Sequence, residues 1–303
     1  MTALQKTLER ITVAEPVGGA DLTMYPLLDP EAGESEYDLA GEAFQRGTLE
    51  VTEVSESGSV PNLRVTNSGE RPVLLLDGEE LVGAKQNRIL NVSVMVPARQ
   101  TIEVPVSCVE AGRWSYTSRE FGDADWVMDT PGRAMHMRSV SDTMRTGSRA
   151  GDQGAVWSHI DAKSQRLDAP SATGAMGAMY SKHRERLDRS VSNLEPVDHQ
   201  VGAVFVSNGQ IMGVELFDSH DTLKRVLPKL ARSNALDSID PRPRQRRPAD
   251  LNVDTVLGRV RSLGAEEYPA VGLGQEIRLH GESLVGAALV VEERVIHMAL
   301  LAE

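Results

Sequence analysis

Val201-Gly-Ala-Val-Phe-Val-Ser-Asn-Gly-Gln-Ile-Met-Gly-Val-Glu-Leu-Phe217 is two apolar strands around Asn208-Gly209. The pattern returns without a gap in Val285-Gly-Ala-Ala-Leu-Val-Val-Glu-Glu-Arg-Val-Ile-His-Met-Ala-Leu-Leu301. Asn-Gly suits a type I′ turn because both residues tolerate positive φ, so the first copy reads as a β-hairpin. Outside the turn, apolar residues of one copy meet apolar residues of the other. The departures are Gly213 against His297, Glu215 against Ala299 and Ser207 against Val291. A third copy opens at Val82-Gly-Ala84, and its lead-in, Gly78-Glu-Glu-Leu-Val-Gly-Ala84, differs at one position from Gly281-Glu-Ser-Leu-Val-Gly-Ala287. The recurring Gly-Ala marks a strand opening where another backbone comes close. Two copies then continue as apolar strand, whereas the copy at Val82 continues with Lys85-Gln86-Asn87-Arg88, which packing alone does not call for.

Working outward, the region from Gly47 to Tyr116 is also β in character. Thr48 to Val54 alternates, with Leu49, Val51 and Val54 on the inner face. Leu63 to Val65 and Val73 to Leu76 follow, separated by the turn-forming Asn67-Ser-Gly-Glu-Arg-Pro72. Ile89 to Val96 and Thr101 to Cys108 predict a further hairpin turned at Pro97-Ala-Arg-Gln100. Pro105, having no N–H to give, predicts an edge strand or a bulge there. The 117–197 stretch is polar and Met- and Ser-rich and predicts helices at about 132–145, 152–167 and 175–191. A helix capped by Ser219 or Asp221 carries an apolar stripe of Leu223, Val226, Leu227, Leu230 and Ala231, with Pro228 expected to kink it. The basic stretch Pro241-Arg-Pro-Arg-Gln-Arg-Arg-Pro248 precedes a short helix at about 251–262. The fold class is therefore α+β: an antiparallel, hairpin-rich core with recurring hairpin units and a helical insertion. Residues 1–116 form the β-rich part, 117–197 the insertion, and 198–303 complete the same domain.

Composition narrows the function classes. The 303 residues are 40% hydrophobic and 4% aromatic, so aliphatic side chains must fill the core. A net charge of -12 argues against nucleic acid and anionic membrane as partners. The basic stretch Arg242 to Arg247 is short, lacks interleaved aromatics and reads as a solvated linker. With one cysteine, Cys108, an intramolecular disulfide is impossible. No apolar run approaches the roughly 18 residues of a membrane span, and the start lacks the order of a signal peptide, so cytoplasmic residence is expected by elimination. The seven histidines show no HExxH or similar spacing, so no metal site is expected, and His297 reads as a satisfied core residue.

Two stretches carry candidate chemistry. Asp77-Gly-Glu-Glu80 with Lys85-Gln-Asn-Arg88 offers carboxylates, an amine, amides and a guanidinium within twelve residues. Glu79 or Glu80 would serve as acid or base, while Lys85, Asn87 and Arg88 would hold phosphate or ribose oxygens. The competing reading is a solvated loop. A P-loop is excluded, because Ala84 separates Gly83 from Lys85. The second stretch is Ser107-Cys-Val-Glu-Ala-Gly-Arg-Trp-Ser-Tyr116. Cys108 is a candidate nucleophile, but it sits where a small buried hydrophobe belongs and has no histidine near it in sequence. Trp114 and Tyr116 alternate onto one face, where core packing competes with stacking on a base, and Glu110 and Arg113 can pair.

Leu74 to Arg88 and Val104 to Tyr116, with further stretches at Gly209 to Phe217 and Lys229 to Asp237 and in the final hairpin, resemble the ARG and rhodanese-phosphatase-superfamily-associated protein domain. Reading ARG as ADP-ribosylglycohydrolase, the resemblance implies NAD- or ADP-ribose-linked metabolism. It brings no catalytic roles, cofactor or protein partner with it. Catalytic candidates are Glu79, Glu80, Lys85 and Cys108, and ligand-binding candidates are Gln86, Asn87, Arg88, Glu110, Arg113 and Trp114. The expectation is a nucleotide-like small-molecule ligand, whether bound or processed. The alternative is a non-catalytic interaction protein whose polar motif locks the hairpins together. An enzyme would need Glu80, Lys85 and Cys108 or Trp114 on one open cavity.

Overall fold

The computed structural model describes residues 2–55, 61–241, 253–260 and 263–303. The two matching hairpins form the middle of a nine-stranded antiparallel sheet. Its order runs Thr12–Val13, Leu22–Leu28, Gln200–Ser207, Gln210–Phe217, Arg294–Ala302, Leu284–Val291, Gln275–His280 and Gly264–Pro269, with Val17–Gly18 also pairing with Leu22–Leu28.

The echo holds pair for pair. Gly202 faces Leu216 as Gly286 faces Leu300, and both hairpins slip register at the same step, after Phe205 and after Leu289. Both turn through two residues of positive φ: Asn208 and Gly209 at 48° and 76°, Glu292 and Glu293 at 49° and 62°. Their second strands lie side by side, with Gly213 against Leu301, Glu215 against Ala299 and Phe217 against His297. Val285 lies 84 positions beyond Val201, so Ala299 is the counterpart of Glu215. A local twofold axis thus passes between those two residues. The Gly-Ala openings have the anticipated cause: a Cβ on Gly202 would sit 2.5 Å from Glu215 O, and one on Gly286 would sit 2.9 Å from Ala299 O.

The third copy departs from this pattern. The strand Glu79–Gly83 ends where Gly83 and Ala84 take φ of 133° and 40°, and the chain doubles back so that Glu80 faces Ile89. Polar side chains from 85 to 88 turn the chain here, where apolar ones extend it in the other copies.

This short hairpin belongs to a six-stranded sheet of order Phe121–Val127, Glu79–Gly83, Arg88–Leu90, Gln100–Cys108, Asn62–Asn67 and Leu49–Glu53. The hairpin expected from Ile89–Val96 and Thr101–Cys108 is split. Arg88–Leu90 does pair with Gln100–Cys108, but Val94–Val96 crosses into a three-stranded sheet with Val73–Leu75 and Asp38–Leu39. Pro105 is not on an edge. It sits where its strand changes partner, from Asn62–Asn67 to Arg88–Leu90, so its missing N–H interrupts no ladder. Val54 does not join Leu49 and Val51 on the inner face: alternation continues to Glu53, which is buried, and Val54 is half-buried.

Helices occupy Thr130–Met144, Gln153–Arg166 and Gly177–Val191, close to the expected spans. Asp129 and Asp152 cap the first two by accepting from Gly132 N and Ala155 N. Ser219 caps His220–Ile239, which runs through Pro228. Val253–Val260 is the described part of the last expected helix, and the basic stretch beyond Pro241 lies outside the described residues. One apolar core joins Leu22 and Met24, Leu74 and Leu76, Ile160, Tyr180, Phe205, Leu230 and Ile296. No helix among the described residues is long and apolar enough to cross a membrane.

Candidate functional site

The three carboxylates of Asp77-Gly-Glu-Glu80 diverge into separate surroundings. Asp77 faces Arg133, whose guanidinium reaches it at 3.0 Å and also bonds Glu215, all three being buried. His297 extends this cluster: Nε2 lies 3.0 Å from Glu215 Oε2, and Nδ1 lies 2.8 Å from Ser93 Oγ. Both ring nitrogens are therefore engaged, as a core histidine requires.

Glu80 turns to the opposite face of the strand. It accepts from Asn87 Nδ2 at 2.9 Å and from Trp126 Nε1, and Trp126 stacks on Tyr180. Burial raises its pKa from 4.5 to about 7, partly offset by those two hydrogen bonds.

The 79–88 and 108–116 stretches converge. Asn87 Oδ1 accepts from Gly83 N at 3.1 Å and Arg113 Nη2 at 2.9 Å, and Asn87 N donates to Glu110 Oε2 at 3.2 Å. Arg113 also binds Glu110 and the Ala84 carbonyl, so it ties down the turn that ends the strand. Burial favours protonation of Glu110, yet bonds from Arg113, Thr173 and Asn87 N hold it below the usual carboxylate range. Gln86 bridges the Glu110 carbonyl and Arg88, and Arg88 Nη1 donates to Cys108 Sγ at 2.7 Å. Burial pushes the Cys108 thiol up, against the opposing pull of Arg88. Among the described residues, Arg88 Nε and Nη2 and both Glu53 carboxylate oxygens are buried without a hydrogen-bond partner. Lys85 Nζ lies 5.4 Å from the Trp114 ring centre and 5.0 Å from that of Tyr116. These two aromatics do not pack in the core: each is about half exposed. The other motif side chains, from Glu79 through Arg88 together with Cys108 and Glu110, are almost entirely buried apart from Val82. Glu80, Lys85, Cys108 and Trp114 do not line any described cavity together.

Glu79 does reach one. A cavity of about 300 Å³ opens beside the helix His220–Ile239, and its lining includes Glu79, Asp123 and Lys229. Lys229 Nζ sits between the two carboxylates, bonded to Glu79 and 2.6 Å from Asp123 Oδ1. Glu79 is further held by Leu76 N at 3.1 Å. Gly41 makes room for Asp123, since a Cβ there would fall 2.7 Å from Oδ2. Burial first, then the nearby Glu79 charge, raises Asp123 from 3.8 to about 7, with Lys229 opposing. Burial would lower Lys229, but Glu79 and Asp123 outweigh it and raise the ammonium above its ordinary 10.5. Leu39, Leu76, Val226 and Pro228 supply apolar wall, and Arg225 and Arg232 stand on the rim, paired with Glu42 and Asp188. A carboxyl that titrates near neutrality and shares an ammonium with a second carboxylate can exchange a proton with a bound hydroxyl.

Sequence reasoning does not single out Asp123 and Lys229 as site residues. They lie 106 positions apart, and only the fold brings them to Glu79. Among the described residues no cluster of three or more His, Cys, Asp or Glu is placed to hold a metal ion. A family model described as the ARG and Rhodanese-Phosphatase-superfamily-associated Protein domain matches residues 10–301. No curated protein and no solved structure gives a match.

Proposed function

Since the chain belongs to the ARG and Rhodanese-Phosphatase-superfamily-associated Protein domain family, we propose that it binds, and acts by proton transfer on, a small nucleotide-derived molecule such as ADP-ribose. The observation that carries this reading is the meeting of Glu79, Asp123 and Lys229 at the wall of an open cavity. Ribose hydroxyls suit such a centre, because carboxylates accept from them and an ammonium donates to their oxygens. A cavity of about 300 Å³ is the size of a ribose or ribose phosphate, so the rest of a larger ligand would lie along the rim near Arg225 and Arg232. The ADP-ribosylglycohydrolase reading of the family's description supports the same substrate class. Calorimetry with ribose 5-phosphate, ADP-ribose and NAD tests it. Binding is expected to weaken at least about tenfold in Lys229→Met and Asp123→Asn, the scale of a lost charge-assisted bond. A panel that gives no saturable heat rejects the proposal.

One observation favours a structural role for the 80–88 motif. Glu80 is 0% exposed with both oxygens bonded, and the Asn87 side chain is bonded to Glu80, Gly83 N and Arg113. On this second reading Asn87→Ala lowers the melting temperature and leaves ligand affinity unchanged. If the variant melts at the native temperature, the structural reading is lost.

A further inference from the structure

A larger cavity, about 620 Å³, lies between the helix Gln153–Arg166 and the 168–174 loop. Its lining includes the Trp157 indole, 37% exposed, and Ile160, Ala169 and Pro170. Among the described residues, the polar lining includes Asp161 and Asp168 but no lysine, arginine or histidine. Asp161 bonds Gln165 through Oδ2. Asp168 sits in a left-handed conformation at φ 48° and pairs with Lys182, so Asp161 is the better acceptor for a ligand. The cavity thus has a flat aromatic surface, a carboxylate acceptor and, among the described residues, no cation in its lining to receive a phosphate.

We propose that this cavity binds an unphosphorylated, amino-bearing nucleobase or nucleoside, stacked on Trp157 with its exocyclic amine donating to Asp161. Stacking on an aromatic side chain suits any base. A carboxylate acceptor selects those with a donor edge, as acidic residues do when they read the amino group of cytosine. The site is independent of the Glu79–Asp123–Lys229 reading. It is nevertheless wired to the polar motif: Thr173, at the end of the loop, donates to Glu110 Oε1 at 2.6 Å, and Gln153, at the start of the helix, clamps the Cys108 backbone at 2.8 and 2.7 Å.

The test is calorimetry on the full chain with adenosine, cytidine, guanosine, uridine and adenosine 5′-monophosphate, with spermidine as a cation lacking a ring. At least one amino-bearing nucleoside is expected to bind saturably, more tightly than uridine, and adenosine more tightly than its monophosphate. Loss of stacking in Trp157→Ala should weaken binding at least about fivefold, with recovery in Trp157→Phe. Asp161→Asn should erase the advantage over uridine, and every comparison is repeated in Lys229→Met, in which the Glu79 cavity no longer competes for ribose or phosphate. The proposal is overturned by absence of saturable binding up to millimolar ligand, by affinity that survives Trp157→Ala, by tighter binding of the monophosphate, or by equal binding of spermidine.

Discussion

Replacing Glu80 by glutamine separates the charge of this buried group from its shape. Burial lifts the carboxyl from 4.5 to about 7, so the folded chain holds a proton that the unfolded chain releases. An acid with a raised folded pKa gives its full stabilisation below the unfolded value, and that is lost as pH rises through the folded one. At about 1.4 kcal/mol per unit, the penalty is about 1 kcal/mol at pH 5.5 and about 3 kcal/mol at pH 8. A glutamine side chain resembles the protonated acid: its oxygen accepts one of the two N–H groups from Asn87 and Trp126, and its amide must face the other. Glu80→Gln should therefore gain about 2 kcal/mol on the native protein between pH 5.5 and pH 8, whatever its offset at the lower pH. Urea unfolding of both proteins at the two pH values measures this difference of differences, in which Asp123 and the other titrating groups cancel. A gap that stays constant with pH would mean that Glu80 is already ionised at pH 5.5, and would refute the argument.

The hairpin echo makes two further predictions. Gly202→Ala and Gly286→Ala should each destabilise by about 1–3 kcal/mol in urea unfolding. The first should cost more, because its Cβ would lie closer to the facing carbonyl, at 2.5 Å against 2.9 Å. Glu292 and Glu293 hold the same turn as Asn208 and Gly209 without their tolerance of positive φ. Glu292→Asn with Glu293→Gly should therefore raise stability by about 1–2 kcal/mol, and an unchanged melting curve would contradict this.

Legibility in the sequence depends on how local each feature is. The Asn208-Gly209 turn, the Ser219 cap and the 3.6-residue stripe of Leu223 to Ala231 are short-range signals, and the elements they predict are present. Gly202 and Gly286 signal close backbone approaches, and the facing carbonyls of Glu215 and Ala299 are the approaching atoms. Ile89 to Val96 misleads because its change of sheet depends on which strands flank it, and apolar pattern says nothing of that. Leu22–Leu28, deep in the main sheet, gives no clear signal: Pro26 and Tyr25 blur its alternation, and its partners on Gln200–Ser207 lie more than 170 positions away. The convergence of Asn87 and Arg88 with Cys108 and Glu110 follows from hairpin proximity. Lys229 and Asp123 have no such cue.

The positions where the two hairpins disagree turn out to be connected. Glu215 and His297 stand where the opposite copy has Ala299 and Gly213, and in the sheet they bond to one another. Keeping Ala299 small on one side of the local axis leaves room for the helix Thr130–Met144, whose Ala134 and Met137 pack on Ala299, Val285 and Leu301. From that helix Arg133 reaches back to Glu215 and across to Asp77. Buried ion pairs of this kind add little net stability over apolar packing but are costly to break, so they serve better to fix register than to hold the fold together. Here the register matters at Glu79. Asp77 is tied on one side by Arg133, and Glu80 on the other by Asn87 and Trp126. Between those two anchors the strand cannot slip or roll, and the Glu79 carboxylate is left to face Lys229 and the open cavity. A sheet that kept its internal symmetry would have had no polar residues at the axis with which to hold that strand in place.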